Sequence, residues 1–382
     1  MNNHEKQERV FKRQGPAGLA LQMGMVAAEY YSAQKNPDFS RHDIEQMLAG
    51  IRRYQAHDFV RPEPPHEEVW QSGTVRLYRV APADGSANRD SAKDTPGLLL
   101  VPSLINRSAI LDLLAEKSFA RWMAGKGIRV FLLDWGDPVQ DAALATMDDL
   151  LDQRLVPAMR FVADACGGKP DVMGYCMGAT MTVAACVLAK EIVRGAIFVA
   201  GPWDFAAGDD ALHRHVKAGT PQAMQIIAQR NMLPRQWIEN VFAASNTDHA
   251  VRKFIKFAAM DPQSDEARLF VAVEDWLNDG VDLPADIART CIADWYGRNL
   301  PGMLRWQACG TVIDPARIAV PCLVVASRKD RLVAFEGASA LTYALPRATL
   351  LAPDTGHIGM MVGRHAETQL WNPVFSWLRR DG

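Results

Sequence analysis

The segment Val172-Met173-Gly174-Tyr175-Cys176-Met177-Gly178-Ala179 constrains this chain more than any other. A Gly-x-Cys-x-Gly pattern closes a short apolar run and opens an apolar, helix-like stretch. A strand that bends sharply into a helix crowds the backbone on both sides of the bend, and glycine fits there. The residue at the apex is held out beside the positive end of the following helix, where a thiolate is favoured. The pattern therefore calls for a strand–turn–helix unit with sulfur at its tip. Taken alone it is weak, because buried structural cysteines are common. Its weight comes from the residues downstream.

Short apolar runs at 97–101, 128–134, 171–175, 196–200, 320–326 and 348–351 read as strands buried on both faces. An antiparallel starter strand is expected at 74–80. Helical patterns lie between them, at 109–123, 147–165 and 177–192. This alternation predicts a doubly wound, mostly parallel α/β sheet. The rhythm breaks after Gly201-Pro202. Residues 206–314 carry Trp and Met in helix-like segments punctuated by Pro221, Pro234, Pro262 and Pro284, and are too long for a simple crossover. They are expected to form a helical cap inserted into a core made of 70–205 and 315–382. Residues 1–69 read as a mostly helical extension that ends in Arg61-Pro62-Glu63-Pro64-Pro65.

Bulk properties exclude several classes. The 382 residues are 48% hydrophobic and 23% charged, enough for an ordinary globular core. A net charge of −2 gives no general reason to expect nucleic-acid binding. The six cysteines, at 166, 176, 186, 291, 309 and 322, show no Cys-x-x-Cys pairing and suit a reducing cytoplasm. Lys6, Arg9, Lys12 and Arg13 precede an uncharged stretch at 14–28, but Glu5, Glu8, Gln14, Pro16 and Gln22 spoil a signal peptide. An amphipathic helix packed on the body is expected there. No later stretch is long and apolar enough to span a bilayer. There is no Gly-x-Gly-x-x-Gly or Walker-type loop, and no cofactor is expected. His213 and His215 lack the partners of a metal site, and no metal is expected.

Two segments complete a catalytic pattern. Asp330 follows the apolar run 320–326 by a few residues, and His357 follows the run 348–351 in Asp354-Thr355-Gly356-His357. Both fall at the carboxyl edge of the expected sheet, where sites of such folds lie. The chain order Cys176, Asp330, His357 is the nucleophile–acid–base order of the α/β-hydrolase fold, which the chain resembles here. A packed thiol, a loop acid and a capping histidine are the bland alternatives, and all three would have to hold together. Two backbone N–H groups must face the developing oxyanion. Met177 is one candidate; the other lies in Ser103-Leu104-Ile105-Asn106, with Ile105 favoured and Leu104 the alternative. Asn106 and Tyr175 are candidate pocket residues. Trp135 is a third, with core packing an equal alternative.

The residues also resemble a family. Val101-Pro102-Ser103-Leu104-Ile105-Asn106-Arg107-Ser108, Leu133-Asp134-Trp135-Gly136-Asp137-Pro138, the Cys176 elbow, Gly201-Pro202-Trp203-Asp204-Phe205, Lys329-Asp330 and Gly356-His357-Ile358-Gly359 are similar, in order, to the polyhydroxyalkanoate synthases. The likeness is to their short, class III-like catalytic subunits. It implies an acyltransferase that polymerises 3-hydroxyacyl-CoA, with the CoA thioester as substrate rather than cofactor. By that resemblance Cys176 carries the acyl group, His357 is its base and Asp330 the partner acid. It further implies a growing polyester as partner, a homodimer or a helical accessory subunit, and a place at the polyester granule surface. A cysteine thioesterase or esterase is the alternative activity, and a catalytically silent scaffold a third. The elbow departs from the family pattern at Ala179, where a second glycine is usual. The cap matches little beyond Glu274-Asp275-Trp276-Leu277 and Asp294-Trp295-Tyr296.

Overall fold

The computed structural model describes residues 13, 15–16, 18–21, 23–25, 40–83, 97–208, 211–245 and 247–380. Of the expected amphipathic helix at 14–28, residues 14, 17, 22 and 26–28 lie outside these residues. Eight strands form one sheet: β1 (Glu67–Ser72), β2 (Val75–Arg79), β3 (Gly97–Val101), β4 (Arg129–Asp134), β5 (Asp171–Tyr175), β6 (Gly195–Val199), β7 (Cys322–Val325) and β8 (Ala348–Leu351). Their spatial order is β1-β2-β4-β3-β5-β6-β7-β8. β3 to β8 run parallel, while β1 and β2 enter as an antiparallel hairpin against β4.

The inner parallel strands β3, β5, β6 and β7 are apolar because neither face sees water, whereas β8, expected to be buried on both faces, is an edge strand with Thr349 and Leu350 exposed. In β3, Leu99 and Val101 pack into the core on one side of the sheet and Leu98 and Leu100 into the core on the other. β5 and β6 repeat the alternation, with Val172 and Phe198 on one side and Met173 and Ile197 on the other. Each such side chain contributes about 1.5–3 kcal/mol on burial. β3 feeds β4 on one side and β5 lies on its other side. The connections therefore diverge between β3 and β5, and their carboxyl ends open a crevice where ligands bind in such sheets.

Three sequence expectations are corrected here. The helix expected at 109–123 is broken into a 3₁₀ turn (Ser108–Asp112) and a short helix (Phe119–Gly125). Asp112 turns inward, where His66 Nε2 (2.7 Å) and Arg121 Nε (2.7 Å) bind its carboxylate, and Ser118 caps the second piece. The helix expected at 177–192 stops at Leu188, and a 3₁₀ turn follows. The boundary at residue 69 falls inside β1, an edge strand whose sequence Glu-Glu-Val-Trp-Gln-Ser lacks clean alternation.

From Ala211 the described residues turn largely helical. Helices Ala211–Arg230, Arg235–Ser245, Thr247–Ala258 and Asp265–Leu277 lie over the carboxyl edge of the sheet, where Phe242, Phe270 and Trp276 face the nucleophile across a shared cavity. The N-terminal helix Arg41–Gln55 packs on this cap rather than on the sheet. A capping box between Ser40 and Asp43 starts it, and its Met47, Ile51 and Tyr54 share a core with Val251, Phe254, Phe257 and Val271. Leu19 and Met23 join the same cluster.

Candidate active site

The elbow is strained where it presents its sulfur. Cys176 has φ 57° and ψ −128°, between β5 and the helix Met177–Leu188. A non-glycine residue holds such an angle only when its surroundings over-determine it. Here the Cys176 N–H donates to Val199 O (2.8 Å) and its carbonyl accepts from Ala179 N–H (2.9 Å). Added Cβ atoms show why the flanking glycines are needed. At Gly174 a Cβ would lie 2.6 Å from Gly178 O, and at Gly178 it would overlap the carbonyls of Val101 and Pro102. Ala179 is tolerated in place of a glycine because its methyl faces Gly201, which offers no Cβ of its own.

Cys176, Asp330 and His357 converge from the ends of β5, β7 and β8. His357 begins the helix His357–Val362, and its Nδ1–H donates to Asp330 Oδ2 at 2.7 Å. Its other ring nitrogen is left for Cys176, with which the imidazole shares a hydrogen bond. Burial alone would push the His357 pKa down. The charges of Asp330 and Cys176, together with these hydrogen bonds, overcome it and hold the pKa well above the usual histidine value. The second oxygen of Asp330, Oδ1, accepts from the backbone N–H groups of Leu332 (2.8 Å) and Val333 (3.0 Å). The acid is thus fixed from both sides.

Tyr175 and Ser327 brace this arrangement. The fully buried Tyr175 hydroxyl donates to His357 O (3.2 Å), and its ring lies 5.1 Å from the imidazole. Burial, reinforced by the charges of Cys176 and Asp330, drives its pKa well above the ordinary tyrosine value, so it stays a donor. Ser327 Oγ donates to Thr355 O (2.6 Å) and ties the acid loop to the base loop. Sequence reasoning missed Ser327 altogether. Its only signal is a hydroxyl placed directly after a buried strand.

The candidate oxyanion donors sit on neighbouring strand ends. Met177 N–H opens the helix after the nucleophile, and Ile105 lies in the loop after β3. Ile105 lines the cavity, whereas Leu104 is buried in the core under the sheet. The Ile105 N–H meets Ser103 Oγ only at 3.4 Å. Asn106 and Tyr175 also line the cavity. Trp135 does not, which corrects its expected place as a pocket residue. It is buried in the core, where its Nε1–H donates to Pro102 O (3.0 Å) and pins the start of the loop after β3. His213 and His215 stand on the cap helix Ala211–Arg230, where their Nδ1 atoms engage the carbonyls of Phe205 and Ala211.

The triad opens into a cavity of about 620 Å³. Its cap side is mainly apolar, with Phe242, Phe270, Val273 and Trp276, and Pro16 of the N-terminal segment reaches it. A charged pair interrupts this wall: Lys253 Nζ binds both oxygens of the buried Glu274, at 2.6 and 2.8 Å. The arrangement can load an acyl group onto sulfur at the floor of a mainly apolar cavity.

Residues 98–368 match the alpha/beta hydrolase family, and the chain belongs to that family. Within it, the chain is 26% identical over 317 residues to the poly(3-hydroxyalkanoate) polymerase subunit of Haloferax mediterranei, a match that covers 82% of this chain and 63% of that protein. It is 25% identical over 351 residues to the corresponding subunit of Allochromatium vinosum, covering 90% and 96%. The chain thus spans just under two thirds of the first relative and nearly all of the second. Among solved structures, a monoacylglycerol lipase of Paleococcus ferrophilus aligns with a TM-score of 0.48 at 13% identity, over 74% of this chain and 95% of that one. Among the described residues no helix is long and apolar enough to cross a membrane.

Proposed function

We propose that this chain is an acyltransferase that polymerises 3-hydroxyacyl-CoA into a polyester through an acyl group carried on Cys176. The observation that carries this reading is a Cys–His–Asp triad opening into a covered, mainly apolar cavity. The similarity to poly(3-hydroxyalkanoate) polymerases supports it. Transfer between two thiols is nearly isoenergetic, so sulfur loses little driving force in loading. The Cys176 proton passes to His357, Sγ attacks the thioester carbonyl, and the oxyanion faces the N–H groups of Met177 and Ile105. The tetrahedral intermediate collapses, the C–S bond to coenzyme A breaks, and the departing coenzyme A sulfur takes the proton from His357, which returns the imidazole to its neutral, basic form. The hydroxyl of another hydroxyacyl unit then attacks the acyl-enzyme. His357, oriented by Asp330, takes the hydroxyl proton, and the Cys176 C–S bond breaks as the ester forms. Water would divert the same intermediate to hydrolysis, so the cap's role is exclusion.

The test is purified protein with 3-hydroxybutyryl-CoA, followed for released thiol and for insoluble polyester. Polymer plus free coenzyme A is the expected result, with release abolished in Cys176→Ala. Coenzyme A plus free hydroxy acid would assign a thioesterase instead, and no thiol release would leave a silent scaffold. The protein would require no cofactor and would work in the cytoplasm at the boundary of the growing polyester. Repeating the assay with a helical accessory subunit, and sizing the protein with and without substrate, tests the partner and homodimer readings.

A further inference from the structure

The loop that bears the candidate oxyanion donor is bonded to the cap at several points. Val281 N–H donates to Ile105 O (3.0 Å), and Asn106 and Gly280 pair as an isolated antiparallel bridge. Asn106 Nδ2 donates to Trp276 O (3.3 Å), and the indole Nε1–H of Trp276 donates back to Arg107 O (2.8 Å). Residues 276–281, at the end of the cap helix Asp265–Leu277, therefore run beside 105–107 as an improvised strand. On the core side, this loop is anchored at its start by Trp135 on Pro102 O. Arg107 also reaches Gly136 O on the core side, but the carbonyls of Ile105 and Arg107 and the side chain of Asn106 are held by the cap.

From this we infer that Trp276 is a positioning residue for the oxyanion site, so that the site is complete only while the cap is seated. The inference rests on the acyl-transfer reading above. Its physical basis is that an oxyanion donor acts through placement. A donor that drifts by a fraction of a hydrogen-bond length loses transition-state stabilisation without changing how substrate binds. The cap would then do more than exclude water. Lifting it to admit a substrate would pull 276–281 from 105–107 and leave the acyl-enzyme without its second donor until the cap returns.

Trp276→Phe keeps an aromatic side chain but removes the pyrrole part of the indole, and with it the N–H to Arg107 O. The expected result is a kcat for coenzyme A release about 10-fold lower with KM unchanged. Alkylation of Cys176 by iodoacetamide needs no oxyanion donor, and its rate, read by mass spectrometry of the Cys176 peptide, should match the unaltered protein. Asn106→Ala cuts the other side-chain tether and should lower kcat in the same way. Wild-type kcat in both variants overturns the inference. So does a fall in kcat matched by an equal fall in Cys176 alkylation, which would signal damage to the triad instead. If the unaltered protein releases no coenzyme A, the functional reading and this inference fall together.

Discussion

At the scale of single residues, the site is built from groups whose environments oppose their ordinary behaviour. Cys176 adopts a left-handed backbone angle that only the bend between β5 and its helix can hold. His357 is buried, yet Asp330 and Cys176 keep its pKa well above the usual value. The consequence for stability has a definite sign. A histidine whose folded pKa exceeds its unfolded value of about 6.5 stabilises the fold fully below that pH. The contribution fades as pH rises through the elevated folded value. Thermal unfolding of His357→Gln should therefore fall furthest below the unaltered protein in acid to neutral buffer, and the gap should narrow in alkaline buffer. A gap that widens with pH would contradict the assignment. Cys176, Asp330 and His357 were legible in the sequence as candidates because each follows a recognisable apolar strand. Ser327 and the bond from Tyr175 to His357 were not, because they join segments 28 and 182 residues apart in sequence that meet only in space.

At the scale of elements, apolar runs located the parallel strands well and polar or broken segments poorly. β1 escaped notice because an exposed edge strand needs no apolar face. The helix expected at 109–123 broke because Asp112 gains more from His66 and Arg121 in the interior than from a continued helix. Its pKa is lowered although burial raises it, through the His66 and Ser118 hydrogen bonds and the nearby charges of His66 and Arg121. The contact between Arg41–Gln55 and Thr247–Ala258 is equally unreadable from either segment. At that crossing Gly50 meets the Phe254 carbonyl so closely that any Cβ would overlap it. Gly50→Ala should destabilise the fold by about 1–3 kcal/mol, measured by denaturant unfolding, despite alanine's higher helix propensity. A neutral or stabilising effect would show that the two helices are not packed this closely.

At the scale of the whole molecule, the N-terminal extension belongs with the cap. Arg13 binds Asp275 (2.7 Å) and the carbonyls of His57 and Phe59, while Tyr54 donates to the same Asp275 (2.8 Å). Met47, Ile51 and Tyr54 are buried at about 1.5–3 kcal/mol each, so docking this helix contributes several kcal/mol. Deleting residues 1–55 should uncover Phe254, Phe257 and Val271 and raise the fluorescence of a hydrophobic dye such as ANS. It should also lower the melting temperature. An unchanged dye signal and melting temperature would mean that the cap holds its shape without the extension.

The sequence by itself determined the sheet, the elbow and the three candidate residues Cys176, Asp330 and His357 that the fold brings together, because each is written in local signals: apolar runs, glycines at a crowded bend, and polar residues just past strand ends. Only the tertiary structure decided that Trp135 pins a loop from the core instead of lining the cavity. It alone also decided that residues 276–281 run bonded beside 105–107, and that a helix near the amino terminus packs on the cap. These choices depend on which surfaces remain unfilled once distant segments pack together, and spacing along the chain does not encode that.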